Sequence, residues 1–306
     1  MKICLEALNL NSGDEVIVPA HTFIATFSAV IQTGLLPVPA DVNPDTFTID
    51  PQHLSSLITN RTRVVIPVHL YGFPAEMSQI MEFSAEKNLF VIEDFAQSTG
   101  AKYRNARTGS LGIINGTSFY PVKSLGAFGD GGIITTNNKE MADFCLKYRN
   151  YGSLEKYHFE MIGFNSRLDE LQAAMLSVKL RQLDKWIGEK NKIARRYIDN
   201  LKEVPDIQLP AIKNHFIPSW HIFPVLCEKR DELQTYLNTK GIETLVHYPV
   251  PAYRQPALKF LQVNKENFPV TEMISRKELS LPIYPGLSDE EVDYISECIL
   301  DFYKSN

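Results

Sequence analysis

The chain has 306 residues, enough for about two domains, and its 44% hydrophobic and 22% charged residues exclude wholesale disorder. Lys plus Arg total 31 against 36 for Asp plus Glu, so a net charge of −5 with no basic tract argues against a nucleic-acid partner. Cys4, Cys145, Cys227 and Cys298 stand far apart with no CxxC pair, which excludes a zinc ribbon or a thioredoxin-like motif and predicts four buried, reduced thiols.

Met1 to Glu6 does not read as a signal peptide, because Glu6 interrupts any apolar run. Val16 to Ala40 carries no charge, yet Pro19, Pro37, Pro39, Gly34, His21 and Gln32 divide it into strand, helix and strand. A membrane span is therefore not expected, and the composition predicts a cytoplasmic protein. Val16-Ile17-Val18 is a β-branched run, and Leu36-Pro37-Val38-Pro39 a weaker one spoiled by its prolines. Val64 to Val68 and Leu89 to Ile92 are continuous rather than alternating, which predicts strands covered on both faces of a mainly parallel sheet. Between them, Met77, Ile80, Met81 and Phe83 recur at near-helical spacing within Ala75 to Asn88, completing a βαβ pattern.

Further on, Ile133 to Thr136 predicts a strand and Lys139 to Tyr151 a helix. Leu168, Leu171, Met175 and Val178 fall on one helical face, and Leu183 to Leu201 forms a long, polar connecting helix. Pro205 and Pro210 then punctuate the chain. In the tail, Trp220 to Leu226 and Ile242 to Tyr248 predict strands around a helix over Arg230 to Thr239. Ser288 followed by Glu291 is a capping box opening the last helix. The expected organisation is an α/β large domain over 1–188, then the connecting helix and a small α+β domain over 189–306.

Two places could carry chemistry. The strand Val91-Ile92 runs out at Glu93-Asp94-Phe95-Ala96-Gln97, and functional groups gather where strands of an α/β sheet end. Asp94 serves there either as a ligand group or as a cap for the segment that follows. Second, Lys123 follows a short apolar stretch and precedes a glycine-rich run ending in Gly129-Asp130-Gly131-Gly132. A lysine in apolar surroundings has a lowered pKa, which suits Schiff-base chemistry, although an exposed loop lysine fits the same pattern. The glycine run leads into a strand, not a helix, so it is not a dinucleotide fingerprint. Together, a strand-end carboxylate, Ser118 and Lys123 meet the requirements of pyridoxal phosphate: an amine for the covalent link, a carboxylate for the ring nitrogen and a hydroxyl for the phosphate. His53, His158 and His215 read as surface histidines, and no metal cluster is visible.

With these segments side by side, the chain resembles the DegT/DnrJ/EryC/StrS-type sugar aminotransferases of the aspartate-aminotransferase fold (fold type I). The stretches that carry the resemblance are Gly13 to Phe23, Pro67 to Gly72, Glu93 to Gln97, Ser118 to Lys123, Gly129 to Gly132, Asn165 to Gln172 and His247-Tyr248-Pro249. The resemblance implies that Lys123 is the Schiff-base lysine and proton shuttle, that Asp94 pairs with the pyridinium nitrogen, and that Gln97 meets the phenolic oxygen. It further implies that Phe23 stacks on the ring, that Ser118 binds the phosphate, and that Asn165 reaches the cofactor of the neighbouring subunit in a homodimer. Arg167 belongs to the same inter-subunit region, and His247, Tyr248 and Tyr253 to the sugar side; members of the family usually carry histidine where Tyr253 stands. Lysine rather than histidine at position 123 favours transamination over dehydration. The chain is most similar to members acting on dTDP-3-keto-6-deoxyhexoses, with glutamate as the expected amino donor and a 4-keto nucleotide sugar as the alternative. The family also has a helix and a Gly-Thr turn before the position of Met1. Their absence opens a second reading, a non-catalytic fragment acting with a full-length partner.

Overall fold

A computed structural model of the chain describes residues 1–305. In chain order the first part runs α1 (Lys2–Glu6), β1 (Glu15–Pro19), α2 (Ile24–Ile31), β2 (Leu36–Ala40), β3 (Thr62–Val65), α3 (Met77–Glu86) and β4 (Phe90–Asp94). It continues with β5 (Lys102–Tyr103), β6 (Ala106–Arg107), β7 (Ile114–Ser118), β8 (Gly132–Thr135), α4 (Lys139–Tyr148) and α5 (Glu170–Leu180). The remainder is α6 (Leu183–Leu201), β9 (Ile207–Gln208), β10 (Phe216–Ile217), β11 (Phe223–Cys227), α7 (Arg230–Thr239), α8 (Pro269–Lys277), β12 (Glu278–Leu281) and α9 (Asp289–Ser305).

The main sheet has the order β2-β1-β3-β4-β7-β8, parallel except for β8, which runs antiparallel to β7. Its central strands are β-branched on both faces because both faces are covered. Val16, Ile17, Val18, Val64, Val65, Val91, Ile92 and Ile114 are all buried. Pro37 and Pro39 do not abolish β2; they place it at the sheet edge, where a missing N–H leaves no ladder bond broken.

The small sheet, β12-β11-β9, is antiparallel. The long helix α6 buries Leu183, Ile187, Lys190, Ile193, Ala194, Tyr197 and Leu201, a stripe at helical spacing, and packs along α9. The predicted capping box forms: the Ser288 N–H donates to Glu291 Oε2 (2.8 Å) and the Glu291 N–H to Ser288 Oγ (3.2 Å). All four cysteines are buried and unpaired.

Three expectations are corrected. Ile242 to Tyr248 is not a strand. Only Leu245 bridges to Ser280, and the segment then turns toward the large sheet, where the Tyr71 hydroxyl holds the His247 carbonyl. The strand expected from Trp220 begins at Phe223, because Trp220 itself has a left-handed backbone (φ 49°). His215 and His53 are half-buried and engaged rather than free on the surface: His215 Nε2 lies 3.2 Å from Glu76, and His53 Nδ1 accepts the Asp41 N–H at 2.8 Å.

Candidate active site

Strand alternation at the end of β4 sends neighbouring carboxylates to opposite faces. Glu93 is fully buried, where it accepts hydrogen bonds from His69 Nε2 (3.0 Å) and from the Gly109, Leu111 and Gly112 N–H groups (2.7, 2.6 and 2.6 Å). With Glu93 anchored, Asp94 faces the other way, toward α2. Its Oδ2 accepts from the Thr26 hydroxyl at 3.0 Å and its Oδ1 from the Ala96 N–H at 3.2 Å. The local turn bond and the site-facing role therefore coexist on the two oxygens of one side chain.

Lys123 is carried by the loop after β7. Phe119, Leu125, Ala127, Leu176, Leu183 and Ile187 form a separate apolar cluster that pins this loop to α5 and α6. Each such side chain removed from water contributes roughly 1.5–3 kcal/mol. The turn is closed tightly: a Cβ on Gly126 would lie 2.1 Å from the Pro121 carbonyl oxygen, so no larger residue fits. Burial lowers the Lys123 pKa below its ordinary value, and the charge of Asp94 pulls it partly back, which places the two groups within electrostatic reach.

Lys123 opens onto a cavity of about 410 Å³ that is also lined by Lys179, Lys190, Trp186, Trp220, His221 and Tyr284. No carboxylate is among the lining residues. Lys190 is buried on α6, donates from Nζ to the Trp220 carbonyl (2.9 Å), and is pushed down to about 8 by burial. His221 is pushed down to about 3 by burial and by Lys123, Lys190 and His247. Burial and Lys123 also lower His247, so neutral imidazoles flank the lysine.

Gln97 is held from both ends: its Oε1 accepts the Tyr71 N–H (2.7 Å), and its Nε2 donates to the Tyr248 hydroxyl (3.0 Å). Tyr71 adopts φ 60°, and the next residue, Gly72, has no room for a Cβ, which would meet the Trp220 N at 2.6 Å. Phe23, at the start of α2, is 54% exposed, its ring 5.8 Å from that of Tyr248. Ser118, the last residue of β7, accepts the Tyr120 N–H at 3.1 Å.

The structure thus gathers Lys123, Asp94, Gln97, Tyr248, Phe23 and His247, with Ser118 at the end of the strand paired to that of Asp94, while Asn165, Arg167 and Tyr253 lie apart. Asn165 and Arg167 form an exposed pair in which Arg167 Nε donates to Asn165 Oδ1 (2.9 Å). The Arg167 guanidinium stands over the Tyr151 ring at 5.5 Å. Tyr253 is buried on Phe268, and its hydroxyl is taken by Glu272 at 2.7 Å. Lys190, His221 and Glu93 escaped the sequence reading as functional groups. A lysine in phase with Leu183, Ile187 and Ile193 was the available signal for Lys190.

The donor set suits pyridoxal phosphate. A desolvated amine, a strand-end carboxylate, an open aromatic face and a side-chain amide stand on one site, and the turn at Gly126 admits no bulk. The model of the DegT/DnrJ/EryC1/StrS aminotransferase family matches residues 1–300. The chain belongs to this family. Its members depend on pyridoxal phosphate, and the chain is an aminotransferase of that kind. It is 45% identical over 287 residues to the dTDP-3-amino-3,4,6-trideoxy-alpha-D-glucose transaminase of Streptomyces venezuelae, covering 94% of this chain and 76% of the relative. It is 43% identical over 299 residues to the dTDP-3-amino-3,6-dideoxy-alpha-D-galactopyranose transaminase of Aneurinibacillus thermoaerophilus, covering 98% and 82%. The crystal structure of S. venezuelae DesV superposes with a TM-score of 0.96 at 42% identity, covering 99% of this chain and 82% of that one. No described helix is long and apolar enough to cross a membrane.

Proposed function

We propose that the protein moves an amino group from L-glutamate to the keto carbon of a nucleotide-linked deoxysugar, with a dTDP-3-keto-6-deoxyhexose as the favoured acceptor. The observation that carries this reading is the lysine-lined, carboxylate-free cavity at Lys123, which suits a substrate bearing negative charge. The names of the two relatives support a 3-amino sugar product and leave a 4-keto substrate as the second choice.

Pyridoxal phosphate, when bound, supplies the electron sink that lets an amine and a carbonyl exchange places. The residues do the rest. Lys123 would provide the amine that holds the cofactor and, with its lowered pKa, would serve as the group that carries protons at the reacting centre. Asp94, fixed by Thr26 and Ala96, keeps the ring nitrogen protonated. Phe23 would stack on the cofactor ring, and Gln97, clamped by Tyr71, would offer its amide to the phenolic oxygen. Ser118 takes the phosphate. His247 and Tyr248 stand on the sugar side; Tyr253, committed to Glu272, supports that side from behind. Lys190 and Lys179 face the anionic end of the substrate.

Asn165 and Arg167 complete the cofactor site of a second copy in a homodimer. Ile162, at 93% exposure, Leu171, at 80%, and Phe128, Ile133, Tyr157 and Phe159 expose apolar side chains that a second copy would cover. Of the apolar face expected there, Leu171, Met175 and Val178 lie exposed on α5, which suits such an interface, while Leu168 precedes the helix and packs on the Phe119 cluster. Residues 1–188 act as the cofactor domain and 189–306 as the smaller domain, in the cytoplasm, where four unpaired thiols persist.

The test is a coupled assay of 2-oxoglutarate release, with L-glutamate and either the 3-keto or the 4-keto dTDP-6-deoxyhexose. The 3-keto sugar is expected to turn over faster. Turnover of neither would overturn the reading. Replacing Leu171 by Glu is expected to yield monomers in sedimentation velocity; an unchanged dimer or a monomeric wild type would contradict the interface.

A further inference from the structure

A hydrogen-bonded chain joins the small sheet to the site beside Lys123. The Ser280 hydroxyl lies 2.5 Å from Glu278 Oε1 and 2.8 Å from His247 Nδ1. The His247 backbone N–H donates to the other carboxyl oxygen, Glu278 Oε2, at 2.6 Å. Tyr71 holds the His247 carbonyl, and His21 Nε2 lies 2.6 Å from the Tyr71 hydroxyl. Among the described residues, His247 Nε2 has no hydrogen-bond partner. The loop is thus clamped at three points with one ring nitrogen left free.

We propose that Glu278 and Ser280 form a proton relay that lets His247 accept a proton at Nε2 while the positive charge is cancelled at Glu278. This rests on the reading of Lys123 as the reacting lysine.

With Glu278 ionised, the Ser280 hydroxyl donates to Glu278 Oε1, His247 Nδ1–H donates to Ser280 Oγ, and Nε2 carries a free lone pair. A proton arriving at Nε2 forms an N–H bond there. The Nδ1 proton then passes to Ser280 Oγ as the Ser280 proton passes to Glu278 Oε1. One carboxylate becomes one carboxylic acid, and the imidazole changes tautomer without becoming an imidazolium. An amino donor arrives as an ammonium and must shed one proton to react as an amine, so the proton has a source within the established reaction.

The surroundings favour this route. His247 is faced by Lys123, His21, His221 and Glu278, and burial with the lysine charge opposes an imidazolium there. Glu278 is faced by His247, Ser280, Tyr71, Tyr248, Cys227 and the Arg230 guanidinium. Arg230 meets the Glu278 backbone carbonyl, not its carboxylate (3.2 Å), and is itself held by Asp231. Burial pushes Glu278 up to about 8, so both of its states are accessible near neutral pH. Glu278 and Ser280 are positioning residues: they act through His247.

The experiment records ¹⁵N-histidine spectra of the cofactor-loaded protein between pH 6 and 10. In the wild type, His247 is expected to change from the Nε2–H to the Nδ1–H tautomer as pH rises through the Glu278 midpoint. Glu278→Gln, whose amide N–H donates to Ser280 as the acid does, is expected to stay Nε2–H at every pH. Its glutamate half-reaction should lose the rising pH limb, and the rate should fall about 10²-fold with KM little changed. Ser280→Ala should uncouple His247 from Glu278, and Ser280→Thr should restore the coupling. One tautomer across the pH range in the wild type, or an identical pH response in Glu278→Gln, would overturn the relay. If the variants fail to fold, the wild-type spectra alone decide, together with the carbonyl stretch of a protonated buried carboxyl in infrared difference spectra. Retention of the cofactor absorbance by Lys123→Ala would instead sink the reading of the lysine and leave the tautomer result standing.

Discussion

Replacing Glu93 by Gln tests how the fold aims the site. His69 Nδ1 accepts the Ala75 N–H at 2.9 Å, so its Nε2 must carry the proton and donate to Glu93. Each oxygen of Glu93 therefore serves two fixed donors: Oε1 takes His69 and Gly109, and Oε2 takes Leu111 and Gly112. Either orientation of a glutamine amide turns its NH₂ on two N–H groups, the buried ones of His69 and Gly109 or the half-buried ones of Leu111 and Gly112. Two stranded donors at about 1–3 kcal/mol each give a loss of roughly 2–6 kcal/mol, against a total stability of roughly 5–15 kcal/mol. Equilibrium urea unfolding measures it. The pH dependence supplies a second signature. Burial raises the Glu93 pKa, but the bonds from His69, Gly112 and Gly109 outweigh it, and the net shift is downward. A lowered carboxyl stabilises the fold fully above the unfolded value near 4.5 and loses that contribution as pH falls through the folded value. The variant should lack this acid-side slope. A glutamine variant within about 1 kcal/mol of wild type, or one with the same slope below pH 4.5, would refute the reasoning.

Three other outcomes are expected. Asp94→Asn removes the charge proposed to keep the ring nitrogen protonated and should lower kcat by about 10²–10³-fold with the fold intact by circular dichroism; a rate within tenfold of wild type would remove Asp94 from that role. Gly126→Ala drives a Cβ to 2.1 Å from the Pro121 oxygen. It should lower both the urea midpoint and the affinity for cofactor, measured by equilibrium dialysis. Lys190→Met deletes one charged contact of about 1.5–3 kcal/mol, so KM for the nucleotide sugar should rise about 10- to 150-fold with kcat less affected; an unchanged KM would mean that Lys190 serves only the Trp220 carbonyl.

How far the sequence could be read depended on the range of the interaction. The β-branched runs at Val16, Val64 and Val91 announce covered parallel strands, because continuous apolarity has few other uses in segments so short. Asp94 and Lys123 stand out as candidates because a strand-end carboxylate, a serine and a lysine before a glycine-rich turn occur together, not because any one of them is distinctive alone. Ile242 to Tyr248 was misread because its apolar content serves a loop clamped by Tyr71, a residue 176 positions away from His247. Glu278 and Ser280 alternate with Leu279 and Leu281 as any strand does, so nothing local reveals that His247 lies opposite them. The outward residues of α5, Leu171, Met175 and Val178, have the spacing of a core helix, and spacing alone does not tell an exposed apolar face from a buried one.

The central claim is that Lys123 binds the cofactor covalently within a site that needs it. Purified wild type incubated with pyridoxal phosphate should acquire a visible absorption band that persists through gel filtration and is lost on adding L-glutamate. Lys123→Ala, equally folded, should show no such band and no 2-oxoglutarate release. A stable band of the same position and intensity in Lys123→Ala would contradict the account.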